Sequence, residues 1–172
     1  MCGIVGYIGD KQAAPFLLDG MSKLEYRGYD SAGIAVYEKG KIRVEKCVGR
    51  LESLRQKLVG NVPVGTVGIG HTRWATHGRP SDRNAHPHTD SSGDFVVVHN
   101  GIIENYMALK EALLEKGHVF LSETDSEVVA HLMEDNFNGN FEETVKKVLG
   151  MIEGSYSLVF MCAQEPDKLI CT

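Results

Sequence analysis

The second residue of the chain is a cysteine, and removal of Met1 would make Cys2 the N-terminal residue. A thiol is a nucleophile, and the free α-amine of an N-terminal cysteine, with an ordinary pKa near ~8, can take up the thiol proton. Cysteine is also small, the type of residue after which an initiator methionine is usually removed. The alternative is that Cys2 is a small apolar residue at the start of a buried strand, since free cysteines are often buried.

Polar residues suited to binding an amino acid occur further along the chain. Arg73 lies where a predicted strand gives way to a loop, and a guanidinium there can hold a carboxylate with two parallel hydrogen bonds. The alternative is a surface arginine stacked on Trp74. Asp125 falls in the first turn of a predicted helix, where it either complements the helix dipole or binds an ammonium group.

The pair Asn100 and Gly101 interrupts a strand-like run of apolar residues. Asn-Gly is a strong signal for a hairpin turn. The pair can also form an oxyanion hole, with the Asn100 side-chain amide and the Gly101 N–H directed at a developing negative charge. Apolar residues continue directly after Gly101, which weakens the hairpin interpretation. A thiol, an arginine, an acid and an oxyanion hole together indicate an enzyme that opens the side-chain amide of an amino acid.

Three histidines raise the question of a metal site. His86 and His88 lie in a loop rich in Pro, His, Asp and Ser that also contains His77, and all three can offer ligands to zinc. The sequence has no H-E-x-x-H motif, and no cysteine lies nearby to complete a common tetrahedral set. Hydrogen-bonding scaffolding or solvated side chains are the alternatives. The sequence therefore predicts no metal and no other cofactor.

The elements that must position these residues are strands in adjacent pairs and helices in a run of three. The predicted strands cover residues 2–8, 33–37, 41–47, 67–75, 94–103 and 156–161; the helices cover 11–25, 51–58, 105–116 and 141–152, with another beginning at a capping box of Thr124 and Glu127. This order differs from the strict alternation of a doubly wound parallel sheet. It predicts an α+β fold in which antiparallel sheets carry helices on their outer faces.

Composition predicts one globular domain over residues 1–172, with 42% hydrophobic and 24% charged residues. The formal charge of −5 and the lack of a basic block argue against nucleic-acid binding. The apolar runs are too short to cross a bilayer, and no signal-peptide pattern is present. The four cysteines are scattered, which favours reduced thiols in the cytoplasm over a disulfide framework.

Six motifs in one order resemble the glutaminase domain of the class II glutamine amidotransferases, and within that class the isomerizing glutamine–fructose-6-phosphate aminotransferases. The motifs are CGIVG at 2–6, RGYDSAG at 27–33, HTRWATHG at 71–78, NAHPH at 84–88, HNGIIEN at 99–105 and SETD at 122–125. The resemblance runs over the whole chain. It implies the N-terminal-nucleophile hydrolase fold, a four-layer αββα sandwich with two antiparallel sheets.

By this resemblance the substrate is L-glutamine. Cys2 attacks its γ-amide and forms a γ-glutamyl thioester, which water converts to glutamate. Asn100 and Gly101 match the family's oxyanion hole. Arg73 matches its clamp on the α-carboxylate of glutamine, and Asp125 matches its contact with the α-amino group.

The resemblance assigns further roles around the substrate. Thr76 and His77 match substrate-lining positions, Trp74 matches the residue that gates the passage of ammonia, and Arg27 matches a residue close to the nucleophile. In the whole enzymes, two sugar-isomerase domains follow and use the ammonia to aminate fructose 6-phosphate, and we expect a homo-oligomer. The family's Arg-x-Gly-Ser-Pro-Leu-like segment and those domains are not in this sequence, so we expect a glutaminase domain truncated at its C-terminus, with residues 168–172 starting a further strand.

Two other functions remain open at this point. One is a catalytically inactive glutamine-binding domain, which would result if Met1 is retained or if missing strands disorder the site. The other is a thiol redox protein, although no resolving cysteine lies near Cys2.

Overall fold

Two four-stranded antiparallel sheets form the centre of the computed structural model, which describes residues 2–75 and 78–172. The first sheet has the order β1-β4-β2-β3, formed by Gly3–Ile8, Val67–Arg73, Ser31–Glu38 and Lys41–Val48. The second has the order β5-β6-β7-β8, formed by His88–Thr89, Phe95–Ile103, Gly154–Cys162 and Ile170–Cys171. The helices are α1 (Ala13–Leu24), α2 (Leu51–Lys57), α3 (Tyr106–Glu115), α4 (Glu127–Asn136) and α5 (Phe141–Leu149), with a 3₁₀ turn at Glu25–Arg27.

Alternation along the strands places each sheet between two apolar layers. In β2, Ile34 packs in the cluster formed with α1 and α2, whereas its neighbour Ala35 packs against the second sheet. In β6, Val97 packs in the cluster with α4 and α5, whereas Val96 and Val98 face the first sheet. Successive side chains of a strand point to opposite faces, so both faces of these strands must be apolar. The layers are therefore helix, sheet, sheet and helix, and the predicted α+β sandwich is confirmed.

The Asn-Gly pair does not form a turn. Strand β6 continues through Ile103, and Gly101 pairs with Tyr156 of β7 in an unbroken antiparallel register. Gly101 has φ of 129°, and a Cβ there would come 2.0 Å from the carbonyl oxygen of Ser155. Glycine is needed because the backbone of β7 occupies the space that a side chain would fill.

The predicted capping box before α4 is wrong. The helix begins at Glu127, and Ser126, at the N-cap position, makes no side-chain capping hydrogen bond. The Glu127 carboxylate accepts hydrogen bonds from the amides of Leu121 and Ser122 at 2.8 and 2.7 Å, while Thr124 lies before the helix. The acid therefore ties down the preceding segment, and these tertiary contacts replace the local cap.

The other predicted elements occur within a few residues of their expected bounds, and residues 170–171 do form a strand beside β7. Cys47 and Cys162 lie in the apolar clusters, as their neighbours indicated. Over the described part of the chain, the helices are too short and too polar for any to cross a membrane.

Candidate active site

Cys2 lies directly before β1, beside the end of β4. The pairing of Gly3 with Thr72 brings the thiol to the backbone of Trp74, whose amide donates a hydrogen bond to Cys2 Sγ at 3.1 Å. Burial raises the pKa of the Cys2 thiol, and the hydrogen bond from Trp74 opposes that shift only in part. The thiol is therefore protonated near neutral pH, and its use as a nucleophile requires a base.

The Asn100 side chain is oriented between Cys2 and a buried histidine. Its Nδ2 donates to the carbonyl oxygen of Cys2 at 3.2 Å, and its Oδ1 lies 2.9 Å from His71 Nε2. His71 Nε2 also lies 3.1 Å from the carbonyl oxygen of His99. Both partners of His71 Nε2 are oxygens that only accept, so this nitrogen carries the ring proton. Burial lowers the pKa of His71 to about 4, which keeps the ring neutral.

His71 belongs to a group of buried histidines that also includes His86 and His88. The His86 ring stacks on His71 with centroids 4.3 Å apart, and His86 Nδ1 accepts a hydrogen bond from the His99 amide at 3.3 Å. His88 Nε2 lies 3.1 Å from Thr124 Oγ1. Burial holds the pKa values of His86 and His88 well below the usual range. Their contacts are those of hydrogen-bonding scaffolding, the alternative to zinc ligands that the sequence left open.

Arg73 is a buried residue at the end of β4. Its Nη2 donates to the carbonyl oxygen of Gly78 at 3.0 Å, and its Nη1 lies 4.0 Å from Asp30 Oδ1. A surface arginine stacked on Trp74 is therefore wrong: Arg73 is 4% exposed, and the Trp74 ring instead packs edge-on against Tyr29. Burial lowers the pKa of the Arg73 guanidinium, although Asp30 opposes the shift.

Asp30 is a positioning residue that the sequence did not reveal. Its carboxylate accepts a short hydrogen bond from the amide of Ala75, and its own amide donates to the Arg73 carbonyl at 3.1 Å. Asp30 thereby fixes the backbone at Arg73 and at Ala75, on either side of Trp74. The available signal was its place inside the 27–33 motif.

Asp125 lies two residues before α4 rather than in its first turn, which corrects the expected placement. The side chain is 3% exposed, and Oδ2 accepts a hydrogen bond from the Ile103 amide at 2.8 Å. Ser126 joins the same corner, because its hydroxyl lies 2.8 Å from His99 Nδ1 and 3.4 Å from Asp125 Oδ1. The acid is thus fixed by the end of β6, not by a helix dipole.

One cavity of about 490 Å³ is lined by many of the residues described above. Its lining includes seven predicted site residues, namely Cys2, Arg27, Arg73, Trp74, Asn100, Gly101 and Asp125. The other lining residues are His86, His99, Ile102, Thr124, Ser126 and Ser157. The predicted Thr76 and His77 lie outside the described residues, as does Met1. A cavity with a thiol, a cation, an anion and amide donors can hold a zwitterionic amino acid beside a nucleophile.

Residues 71–172 match the family described as the glutamine amidotransferase domain. The chain belongs to this family. Glutamine amidotransferases take nitrogen from the glutamine amide, so glutamine amide hydrolysis is the general chemistry of the domain. The same match covers the segment with His71, Arg73, Asn100 and Asp125.

Relatives of this amidotransferase domain come from longer proteins. A glutamine–fructose-6-phosphate aminotransferase (isomerizing) of Caldanaerobacter subterraneus subsp. tengcongensis is 59% identical over 170 residues, which are 99% of this chain and 28% of that protein. The same enzyme of Pyrococcus horikoshii is 54% identical, covering 98% of this chain and 29% of that protein. The chain thus spans well under a third of the length of these relatives.

A solved structure shares the fold of the amidotransferase domain. The glutamine phosphoribosylpyrophosphate amidotransferase of B. subtilis, in complex with ADP and GMP, superposes with a TM-score of 0.81 at 27% identity. The superposition covers 95% of this chain and 35% of that one.

Proposed function

We propose that this chain hydrolyses the γ-amide of L-glutamine through a γ-glutamyl thioester on Cys2, once Met1 has been removed. The observation that supports the proposal is a single cavity whose lining includes the Cys2 thiol together with the buried side chains of Arg73 and Asp125. Two opposite charges in one cavity fit the carboxylate and the ammonium of a free amino acid. Because the general chemistry of the family is hydrolysis of the glutamine amide, the amino acid that we propose for this cavity is glutamine.

In this proposal, each charged side chain binds one of the two charged groups on the α-carbon of glutamine. Arg73 binds the α-carboxylate, since a guanidinium can donate two parallel hydrogen bonds to it. Asp125 binds the α-ammonium group. Its carboxylate already accepts from the Ile103 amide, but two carboxylate oxygens have about four acceptor positions, so further bonds are available. Thr76, His77 and Arg27 complete the surroundings of the substrate in this proposal.

The first chemical step forms the thioester. The α-amine of Cys2 takes the thiol proton, Sγ bonds to the amide carbon, and the carbonyl electron pair moves to the oxygen. Asn100 Nδ2 and the Gly101 N–H stabilise that oxyanion. The carbon–nitrogen bond then breaks, and the α-ammonium returns its proton to the leaving nitrogen, so ammonia departs.

The second step regenerates the thiol. The same α-amine takes a proton from water, whose oxygen attacks the thioester carbon, and the carbon–sulfur bond breaks to release glutamate. The proton passes to the Cys2 sulfur. Trp74, half exposed at the rim, gates the passage of ammonia in this proposal.

The wider proposal concerns the longer protein to which the relatives point. There the ammonia would be transferred to fructose 6-phosphate by sugar-isomerase domains, in a homo-oligomeric enzyme. The support is the identity of 59% to an enzyme named for that reaction.

The test is glutamate release from glutamine by chain whose N-terminal residue is verified by intact mass. We expect Cys2→Ala to abolish release while glutamine still binds, and acid-quenched wild-type protein to carry a glutamyl adduct on its N-terminal peptide. Cys171→Ala is the matched control, because this cysteine is exposed and outside the cavity, and it should retain activity. Substantial turnover by Cys2→Ala would refute the mechanism. Binding without any turnover by the processed wild type would favour the inactive glutamine-binding domain.

A further inference from the structure

A second cluster of ligand-type side chains lies on the helical side of the second sheet, away from the cavity. His118 Nδ1, His131 Nδ1 and Glu134 Oε2 face one another. The two imidazole nitrogens are 3.3 Å apart, and the carboxylate oxygen lies 3.2 Å from His118 Nδ1 and 3.6 Å from His131 Nδ1. These three atoms form a nearly equilateral triangle.

The size of this triangle matches one face of a zinc coordination tetrahedron. Zn–N and Zn–O bonds of about 2.0–2.1 Å, at a tetrahedral angle, separate neighbouring ligand atoms by about 3.3–3.4 Å. Without a metal, these atoms are satisfied by separate protons, since the Ser91 amide donates to Glu134 Oε2 at 3.2 Å and the Ser91 hydroxyl lies 3.5 Å from His131 Nδ1. A dication above the centre of the triangle would bind all three lone pairs at once.

The backbone holds the ligands in place without a metal. The residues His131 and Glu134 lie three positions apart on α4, so their side chains share one face of the helix. His118 follows the C-terminus of α3, where Gly117 has φ of 92° and the Gly117 and His118 amides donate to Leu114 and Leu113 carbonyls at 3.0 Å each. This is a Schellman motif, which fixes the direction of the chain at His118.

A carboxylate also lies near the Nε2 atom of each histidine. His118 Nε2 lies 3.7 Å from Asp135 Oδ1, and His131 Nε2 lies 3.7 Å from Glu127 Oε1. In metal sites the other ring nitrogen of a ligating histidine usually donates a hydrogen bond to a carboxylate. The two contacts here are longer than a hydrogen bond, so these acids add negative charge near the histidines without fixing their tautomers. With Glu134, the site has three acidic groups; the ammonium of Lys116 lies 2.6 Å from Asp135, and Lys46 interacts with Glu127 over a longer distance. The negative charge of the Glu134 carboxylate within the cluster favours a bound dication.

We propose that His118, His131 and Glu134 form a binding site for a zinc-type divalent transition metal ion. Imidazole and carboxylate ligands suit zinc, and the fourth position is left for water or for the Ser91 hydroxyl, which lies 3.5 Å from His131 Nδ1. The ion would tie the start of the α3–α4 connection to α4, which stabilises the segment that leads to Asp125. The sequence alone does not reveal this site, since its two histidines lie 13 residues apart and match no established ligand spacing.

The test is zinc binding by the chain in a Cys2→Ala/Cys171→Ala background, which removes the two cysteines that are not buried. We expect one equivalent of zinc, a higher Tm with zinc, and visible d–d bands of tetrahedral cobalt without a thiolate charge-transfer band. Glu134→Gln and His118→Asn should each weaken zinc binding at least about tenfold, since even outer-shell losses cost ~10–100-fold. Both side chains are partly exposed, so folding is expected to survive.

The matched control is Glu142→Gln, which removes the same charge from an exposed position on α5 and should leave zinc affinity unchanged. Equal zinc affinity in Glu134→Gln and the control would overturn the site, as would the absence of stoichiometric binding. Thiolate bands in the cobalt spectrum would assign the metal to cysteine instead. Glutamate release plays no part in these readouts, so the outcome is independent of the proposed glutaminase reaction.

Discussion

The Nε2 atom of His71 lies 2.9 Å from Oδ1 of Asn100, and this contact decides which end of the Asn100 amide faces Cys2. Because the ring nitrogen donates, the amide oxygen turns toward His71 and the amide NH₂ turns toward the Cys2 carbonyl, 3.2 Å away. A half-rotation of the side chain would present an oxygen to the proposed oxyanion and would repel it. The neutral, buried histidine is therefore a positioning residue for the donor that the proposed reaction needs.

The first prediction concerns this orientation. His71→Leu removes the donor and should lower kcat for glutamate release by about ten- to a hundredfold, somewhat less than the loss of an oxyanion-hole donor, with a smaller change in KM. His71→Gln keeps an N–H donor at a comparable position and should restore much of the rate. Steady-state kinetics of the two variants provide the measurement. Equal kcat values for them would remove His71 from this role.

A second prediction follows from the buried, neutral state of the same ring. Between pH 6.5 and about 4 the unfolded chain binds a proton at His71 that the folded chain does not, so stability is complete above pH 6.5 and falls as the pH is lowered. This group should lower the free energy of unfolding by about 2 kcal/mol at pH 5 relative to pH 7.5. His86 and His88 act in the same direction, because burial lowers their pKa values as well.

Urea unfolding at the two pH values measures this effect. His71→Gln cannot titrate in this range, so its loss of stability between pH 7.5 and pH 5 should be smaller than that of the wild type by about 2 kcal/mol. An identical pH dependence for both proteins would contradict the assignment.

A third prediction tests the need for glycine in β6. Gly101→Ala adds a methyl group 2.0 Å from the Ser155 carbonyl at φ of 129°, and should cost more than about 3 kcal/mol of unfolding free energy. Gly139→Ala is the control, because Gly139 has φ of 92° but open space around its Cβ position, and should cost only about 1–2 kcal/mol. Denaturant titrations compare them; similar costs would show that the β7 backbone is not the constraint.

Sequence patterns predicted the sheets well because β2 and β6 have both faces buried. Their runs of small and branched apolar residues, such as the one around Val97, leave little choice of element or layer. The Asn100–Gly101 pair was ambiguous locally, since the same dipeptide suits a hairpin turn. Pairing with β7, a strand more than fifty residues later in the chain, places the dipeptide within strand β6 and not in a turn.

Only some residues of the candidate site, and only some of their positions, could be predicted from the sequence. Residues with distinctive chemistry, such as Cys2 and Arg73, could be found from type and position alone. Asp30, however, acts through backbone contacts to Ala75 and Arg73, which no local pattern reveals. Asp125 was expected at a helix N-terminus, but Glu127 uses its carboxylate on the Leu121 and Ser122 amides and shifts the start of α4 past it. Long-range hydrogen bonds overrode the local helix signal in this case.

The last prediction addresses the proposed contact with the glutamine ammonium. Asp125→Asn keeps an oxygen that can accept from the Ile103 amide, 2.8 Å away in the wild type, but removes the charge that would attract an ammonium. A hydrogen bond to a charged group contributes ~1.5–3 kcal/mol, so the Kd for glutamine should rise about ten- to a hundredfold. Calorimetric titration in a Cys2→Ala background measures binding without turnover. Asp167→Asn, at an exposed position outside the cavity, should leave the Kd unchanged. If Asp125→Asn binds glutamine as tightly as this control, Asp125 supports the end of β6 and does not contact the substrate.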